Sequence, residues 1–519
     1  MFGGALYFCM LKGKGFMTTG TKKKTDEKPA KIWLAVLSVI LAVLLVGGIV
    51  YNICDSNGIF LRSTVSVSSE NYAVNNAMLS YYFHYDYNYF ISKNASYLSY
   101  FNLDTSKPLK SQMYDASSGT TWYDYFMNTA LNDAKQALYL CEAAKAAGLT
   151  LSDEDYKEID ESIESLKTTA KAYNVSVNRY ISSMYGNGVK EKDLRKCFEL
   201  STLASKQYEK MMESYSFSED ERAKYCEENK ADFYQADYMS YTFKAEFEDG
   251  ASEADILAAK ESAKNLAEEL AGKKTKDEFF AYISDYLKTQ SENTDGKDTD
   301  DEDTDEPVAD DYLTEEHAYG TESELDKWLF EDGRAEGDTK VVSGEDDTKK
   351  TYSYTTYLVI KPQYLLDYKT VNVRHILIEV SSSAKDEEKN AAKAKAEQLL
   401  ETFKNGELTG KAFAKLVTEN SADTGSVENG GLYENVSKGD MVTEFNDWCF
   451  EDGRKVGDTG VVKTTYGYHV MFLDGFGDAK WSYDAEQAMK QDAYEKEYES
   501  YATTYPVTVD TAKASKVGS

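Results

Sequence analysis

The sequence predicts an α+β chain: an apolar helix near the N-terminus, a helical domain, two strand-and-helix modules in tandem, and a closing helix. Three observations carry this. Ile32 to Tyr51 runs without a single charge. Between about 60 and 232, apolar residues recur at helical spacing. From 233 onward, stretches that alternate with a period of two are separated by Lys/Ala/Glu-rich stretches, and one motif occurs twice.

The apolar run is long enough to cross a bilayer as a helix. Lys22, Lys23, Lys24, Lys28 and Lys31 precede it. Basic residues stay inside, so the reading is a cytoplasmic tail (1–31), a transmembrane anchor (32–53) and an extracytoplasmic remainder. A cleaved signal peptide is the rival reading, but no small-residue cleavage site is evident. A lipid attachment at Cys54 lacks the small residue that should precede it. Met10 or Met17 as the start would leave this topology unchanged.

The balance of 58 Lys and Arg against 90 Asp and Glu gives a net charge of -32, which excludes nucleic acid as a partner. Five cysteines lie at or beyond the end of the span, with no C-x-x-C spacing; they read as buried thiols, one disulfide remaining open. No metal and no cofactor is expected.

Residues 60–232 form the helical domain. Phe126, Leu131, Ala134, Leu138 and Cys141 mark one helix face over Tyr123 to Ala147, which stops at Gly148. Ser152 with Asp155, and Ser218 with Glu221, have the spacing of capping boxes. Lys190 to Tyr215 is another long helix. Seven aromatics crowd Tyr81 to Phe90; most are expected in a bundle core, some lining a groove for apolar segments. A homodimer through this domain is left open.

The internal repeat divides the rest. Asp326–Arg334 (DKWLFEDGR) matches Asn446–Arg454 (NDWCFEDGR), and Gly337–Val342 matches Gly457–Val462. The first copy is set at 233–366, the second at 370–477, and a C-terminal helix and tail at 478–519. In the first copy Thr355 stands where the second has His469, and the opening strand, read as Tyr238 to Phe243, holds no histidine. An acidic insert (291–311) reads as a solvated charged loop rather than a calcium site. His84 and His317 read as ordinary polar residues.

The chemical signal lies in the second copy. The chain has four histidines, and two of them fall there, on two alternating strands. Val371, Val373, His375 and Leu377 share one face; Gly467, His469, Met471 and Leu473 share another. A buried imidazole must satisfy both ring nitrogens, and a second histidine would serve. By pattern alone, a structural polar pair in a small sheet fits equally.

Several pieces in this order resemble the parvulin family of peptidyl-prolyl cis/trans isomerases. They are the Arg374-His375-Ile376-Leu377 strand, the loop Ser421-Ala422-Asp423-Thr424-Gly425-Ser426 before Gly430-Gly431, Gly439-Asp440-Met441-Val442 with Glu444-Phe445, and Lys463-Thr464-Thr465-Tyr466-Gly467-Tyr468-His469. The sequence departs at Leu432-Tyr433-Glu434-Asn435, where many members have Asp-Leu-Gly and an aromatic, and at Asp440, where glutamine is common. The helical domain loosely resembles the chaperone domains of the SurA and PrsA type, in which a C-terminal helix, here Asp484 to Tyr501, returns to complete the fold.

The resemblance implies a site. Met441 and Phe445 would grip a proline ring, and His375 and His469 would pair beneath it. Asp423, Thr464 and Thr465 would complete a polar network. It also implies partners, namely unfolded or partly folded exported proteins with X-Pro bonds. Asp423 as a plain loop-turn residue, and Met441 and Phe445 as ordinary core, are the alternatives. An inactive, membrane-tethered holdase is the rival function.

Overall fold

The computed structural model describes residues 28–248, 250–293, 307–320, 323–346, 348 and 350–518, without the side chains of 28–39 and 291–293. Most of the expected cytoplasmic tail and most of the acidic insert lie outside the described residues. The chain forms two compact units. One combines the N-terminal part up to Met211 with Tyr498 onward; the other is Met212–Glu497.

The first unit is helical, as its periodicity predicts. Its helices are α1 (Lys28–Ser56), α2 (Asn76–Lys93), α3 (Trp122–Ala146), α4 (Asp153–Ala172), α5 (Val177–Tyr185) and α6 (Glu191–Ser214). The expected apolar run falls in α1; among the described residues no helix is long and apolar enough to cross a membrane. Thr121 caps α3 and Ser152 caps α4 through reciprocal bonds with Asp124 and Asp155. Each box satisfies two of the free N–H groups that a helix N-terminus leaves. Gly148, at φ +70°, turns the chain after α3. A small sheet closes the unit, Val67 lying opposite both Val74 and Val509.

The aromatic run of α2 divides between core and surface. Phe83 is buried and packs edge-on against Phe126, and Phe90 lies 5.2 Å from Trp122. Tyr85 and Tyr89 stay exposed, as do Tyr97, Tyr100 and Tyr114. The five cysteines are free thiols, all but Cys54 buried.

One polar contact in this unit makes its stability depend on pH. Asp86 on α2 lies against Asp133 on α3, and Asp86 Oδ2 is buried with no donor while both carboxyls are ionised. Burial, and then the Asp133 charge, push the Asp86 pKa up to about 7. A carboxyl raised in the folded state stabilises it below its unfolded pKa, and that contribution is lost as pH rises through about 7. The melting temperature of this unit is therefore expected to fall from about pH 4 to about pH 7 and to level off above that. Asp86→Asn should flatten that dependence and raise the alkaline value by about 2–4 °C. Calorimetry across pH reads both; equal pH slopes for the two proteins would rule the effect out.

The second unit opens with α7 (Glu219–Glu228) and then repeats one architecture. The first copy contains β1 (Tyr234–Lys244), α8 (Glu253–Leu270), α9 (Lys276–Asn293), β2 (Leu313–Ala318), α10 (Glu324–Leu329), β3 (Thr339–Asp346) and β4 (Thr351–Leu365). The second contains β5 (Lys369–Glu379), α11 (Asp386–Lys404), α12 (Gly410–Asn420), β6 (Leu432–Val436), α13 (Thr443–Phe450), β7 (Thr459–Lys463) and β8 (Gly467–Ala479). A long helix, α14 (Lys480–Thr504), follows.

Both sheets are antiparallel, ordered β2-β1-β4-β3 and β6-β5-β8-β7. Equal order from sequences that share a motif is the structural counterpart of the repeat. The register also locates what the first copy lacks. His469 lies opposite Leu377 and Met471 opposite His375; in the first copy Thr355 lies opposite Thr242 and Tyr357 opposite Ser240. Ser240 and Thr355 thus occupy the two histidine positions.

In the second copy both sheet faces are covered, so β8 is buried from Gly467 to Leu473. Ile376, Ile378, Val470 and Phe472 pack beneath the apolar faces of α11 and α12, against Leu399, Phe403 and Phe413. Val371, Val373, Met471 and Leu473 face the other way, toward Phe445 and Cys449 of α13. Period-2 alternation sends His375 and His469 to this second face.

Candidate functional site: a histidine pair beneath an apolar hollow

His375 and His469 are brought together by the diagonal of the β5–β8 pairing, the arrangement in which i and j±2 side chains meet. Their rings stack at 5.2 Å with 18° between planes, and Nδ1 faces Nδ1 at 2.9 Å. Both are buried, at 4 % and 5 % exposure.

The remaining nitrogens complete a chain. His375 Nε2 lies 2.7 Å from Asp423 Oδ2, and His469 Nε2 lies 2.8 Å from Thr464 Oγ1. An ionised carboxylate only accepts, so His375 Nε2 carries the proton and its Nδ1 accepts from His469 Nδ1–H. His469 Nε2 must then accept from the Thr464 hydroxyl, whose oxygen accepts in turn from Tyr466 N–H at 3.1 Å. Every bond points toward Asp423. Both alternatives for that residue hold at once: Oδ1 accepts from Gly425 N–H in an Asx turn, while Oδ2 anchors the imidazole.

The electrostatics agree with two neutral rings. Burial lowers the His375 pKa against the pull of Asp423. Burial, and then the neighbouring imidazole, bring His469 to about 4. For Asp423, burial alone would raise the pKa; bonds from Ser426, His375, Tyr433 and the Gly425 N–H outweigh it and hold it at about 2. The Ser426 hydroxyl donates to Oδ2 at 2.5 Å and the Tyr433 hydroxyl at 2.9 Å.

The loop bearing Asp423 is stitched to β5. Ala422 N–H donates to Leu377 O at 2.9 Å, and Leu377 N–H to Ser421 Oγ at 3.1 Å. Gly431 follows at φ +74°, its carbonyl accepting from His375 N–H. A Cβ there would lie 2.4 Å from the His375 carbonyl oxygen, so the loop approaches the strand this closely only through glycine.

Above the pair is a hollow of about 300 Å³, lined by His375, His469, Asp423, Met441, Phe445 and Tyr466 among others. Phe445 stands edge-on to both imidazoles, 5.5 Å from each. It belongs to the core cluster and lines the hollow as well, and Met441 packs against that cluster. Six of the seven residues expected from sequence therefore converge. Thr465 does not join the relay; it is exposed and lines a neighbouring cavity. Sequence reasoning missed Tyr433 as a donor to Asp423. Its signal was alternation, since Tyr433 lies opposite Val373 on the histidine face.

The second copy is thus an antiparallel sheet between helices, with paired histidines under an apolar hollow on one face, and residues 361–474 match the PPIC-type PPIASE domain family. Among curated proteins the chain is similar to foldase protein PrsA 1 of Listeria innocua, 34 % identical over 25 % of this chain and 40 % of the relative. It is also similar to foldase protein PrsA of Exiguobacterium sibiricum, 33 % identical over 24 % of this chain and 36 % of the relative. The chain thus spans about two fifths of the length of these relatives. A crystal structure of peptidylprolyl isomerase PrsA from Bacillus anthracis is 21 % identical over 27 % of this chain and 61 % of that chain, with a TM-score of 0.18.

Proposed function

We propose that this protein is an extracytoplasmic peptidyl-prolyl cis/trans isomerase that assists the folding of exported proteins, held at the membrane by residues 32–53. The observation that supports it most is the one-directional relay from Tyr466 N–H to Asp423, lying directly under an apolar hollow of about 300 Å³.

An X-Pro bond interconverts slowly because amide resonance sets a barrier of roughly 20 kcal/mol. The twisted transition state loses that resonance, so its nitrogen becomes pyramidal and its carbonyl less polarised. A catalyst has to hold this twisted amide better than the planar one. Met441 and Phe445 would grip the ring, and the neutral, pre-oriented histidine pair would present a fixed dipole to the turning amide. No covalent step is needed, and Asp423 is assigned the positioning of His375 rather than attack.

The reading is tested with the whole chain and an X-Pro tetrapeptide, following cis-to-trans relaxation by NMR exchange. Acceleration in proportion to enzyme concentration is expected. Unaltered relaxation in the presence of folded protein would overturn the enzyme and leave the second reading, a tethered holdase. That alternative is favoured by the first copy, which keeps the sheet order with Ser240 and Thr355 at the histidine positions. The exposed Tyr85, Tyr89, Tyr97, Tyr100 and Tyr114 of the helical unit favour it too.

A further inference from the structure

A second cavity of about 300 Å³ adjoins the first, with Thr464 and Gly467 in its lining. Thr464 belongs to this cavity and bonds His469, which belongs to the other; Tyr466, also in the other, bonds Thr464. The wall between them is thus about one residue thick. Consecutive Cα atoms lie about 3.8 Å apart across a trans peptide, so a proline ring and its neighbour's side chain can straddle it.

The chemistry of the second cavity is unlike that of the first. Lys389, in the first turns of α11, and Lys463, at the end of β7, both line it, as do the hydroxyl-bearing Ser381, Ser382 and Thr465. Neither lysine pairs with a carboxylate among the described residues. Glu444 is the one acidic residue in the lining, and it lies beyond ion-pair distance of both. In a chain with a net charge of -32, two lysines against one glutamate around a single concavity reverse the local sign.

Resting on the isomerase reading, the geometry points to this cavity as a side-chain subsite for an acidic residue flanking the proline, with Lys389 and Lys463 as its specificity-determining groups. The carboxylate of an Asp or Glu enters between the two ammonium groups and accepts from the serine hydroxyls. The ring beside it fills the hollow over the histidines. Glu444 trims the preference and disfavours a second negative charge on its side.

The test uses the whole chain with three labelled tetrapeptides that differ only beside the proline: Glu, Gln and Lys. Both the exchange rate and the Kd are measured. Glu is expected to exceed Gln by about fivefold in kcat/KM and in affinity, with Lys lowest. In the Lys389→Gln, Lys463→Gln double variant the Glu-to-Gln ratio should collapse toward one, and Glu444→Gln should enlarge it. A ratio near one in the parent, or a ratio that survives the double variant, overturns the subsite. Should no peptide be isomerised, the isomerase reading fails by itself. The ratio of Kd values then still decides for or against the subsite.

Discussion

Asp423→Ala slows X-Pro isomerisation by roughly a hundredfold, equivalent to about 2.7 kcal/mol of lost transition-state stabilisation. The carboxylate is the terminus that gives the relay its direction. Without it, nothing obliges His375 to carry its proton on Nε2, and the two facing Nδ1 atoms no longer have a fixed donor and acceptor. The Ser426 and Tyr433 hydroxyls lose their shared acceptor as well. That loss costs about 1–3 kcal/mol of stability, so activity must be read where the variant is fully folded. Asp423→Asn separates the two effects. It keeps the shape and an acceptor oxygen but drops the charge, and should fall between parent and alanine variant. Relaxation rates, with a thermal melt for each protein, check the series. A folded Asp423→Ala protein with the parent rate would remove Asp423 from the site.

Gly431→Ala should strongly destabilise the second copy. A Cβ on Gly431 would meet the His375 carbonyl oxygen at 2.4 Å and Val417 Cγ2 at 2.8 Å, and the backbone sits at φ +74°. The left-handed conformation costs roughly 1–2 kcal/mol and overpacking against backbone about 1–3 more, together about 2–5 kcal/mol. The near neighbour Gly425 is the control. A Cβ there would meet nothing closer than 3.3 Å, and its φ is not in the left-handed range. Denaturant titrations of the two variants should differ by most of that figure. Equal midpoints would mean that the loop moves away from β5 at little cost, and that Gly431 does not set the position of His375.

Much of this was legible because the relevant signals are local. Capping boxes at Ser152 and Ser218 need only three residues' spacing, and both form as read. The repeat at Asp326 and Asn446 announced two like modules, and both sheets take the same strand order. The parity of His375 with Val371 and Val373, and of His469 with Met471 and Leu473, follows from the pleat alone. Tyr433 was harder, because its strand is short and shifts register between Tyr433 and Val436. Thr464 and Thr465 were not separable in advance, being neighbours at a turn; Thr464 is buried and bonds the imidazole, whereas Thr465 is exposed.

The sequence by itself determined which residues alternate, where helices begin, and that one copy carries histidines the other lacks, for these are written within a few residues of chain. Only the tertiary structure decided that His375 and His469, ninety-four positions apart, touch through Nδ1. It alone also set the relay running toward Asp423 and opened the second cavity beyond Thr464. Side-chain parity is a property of one strand. Register, proton direction and the shape of a hollow belong to the partners that backbone hydrogen bonds select across the sheet.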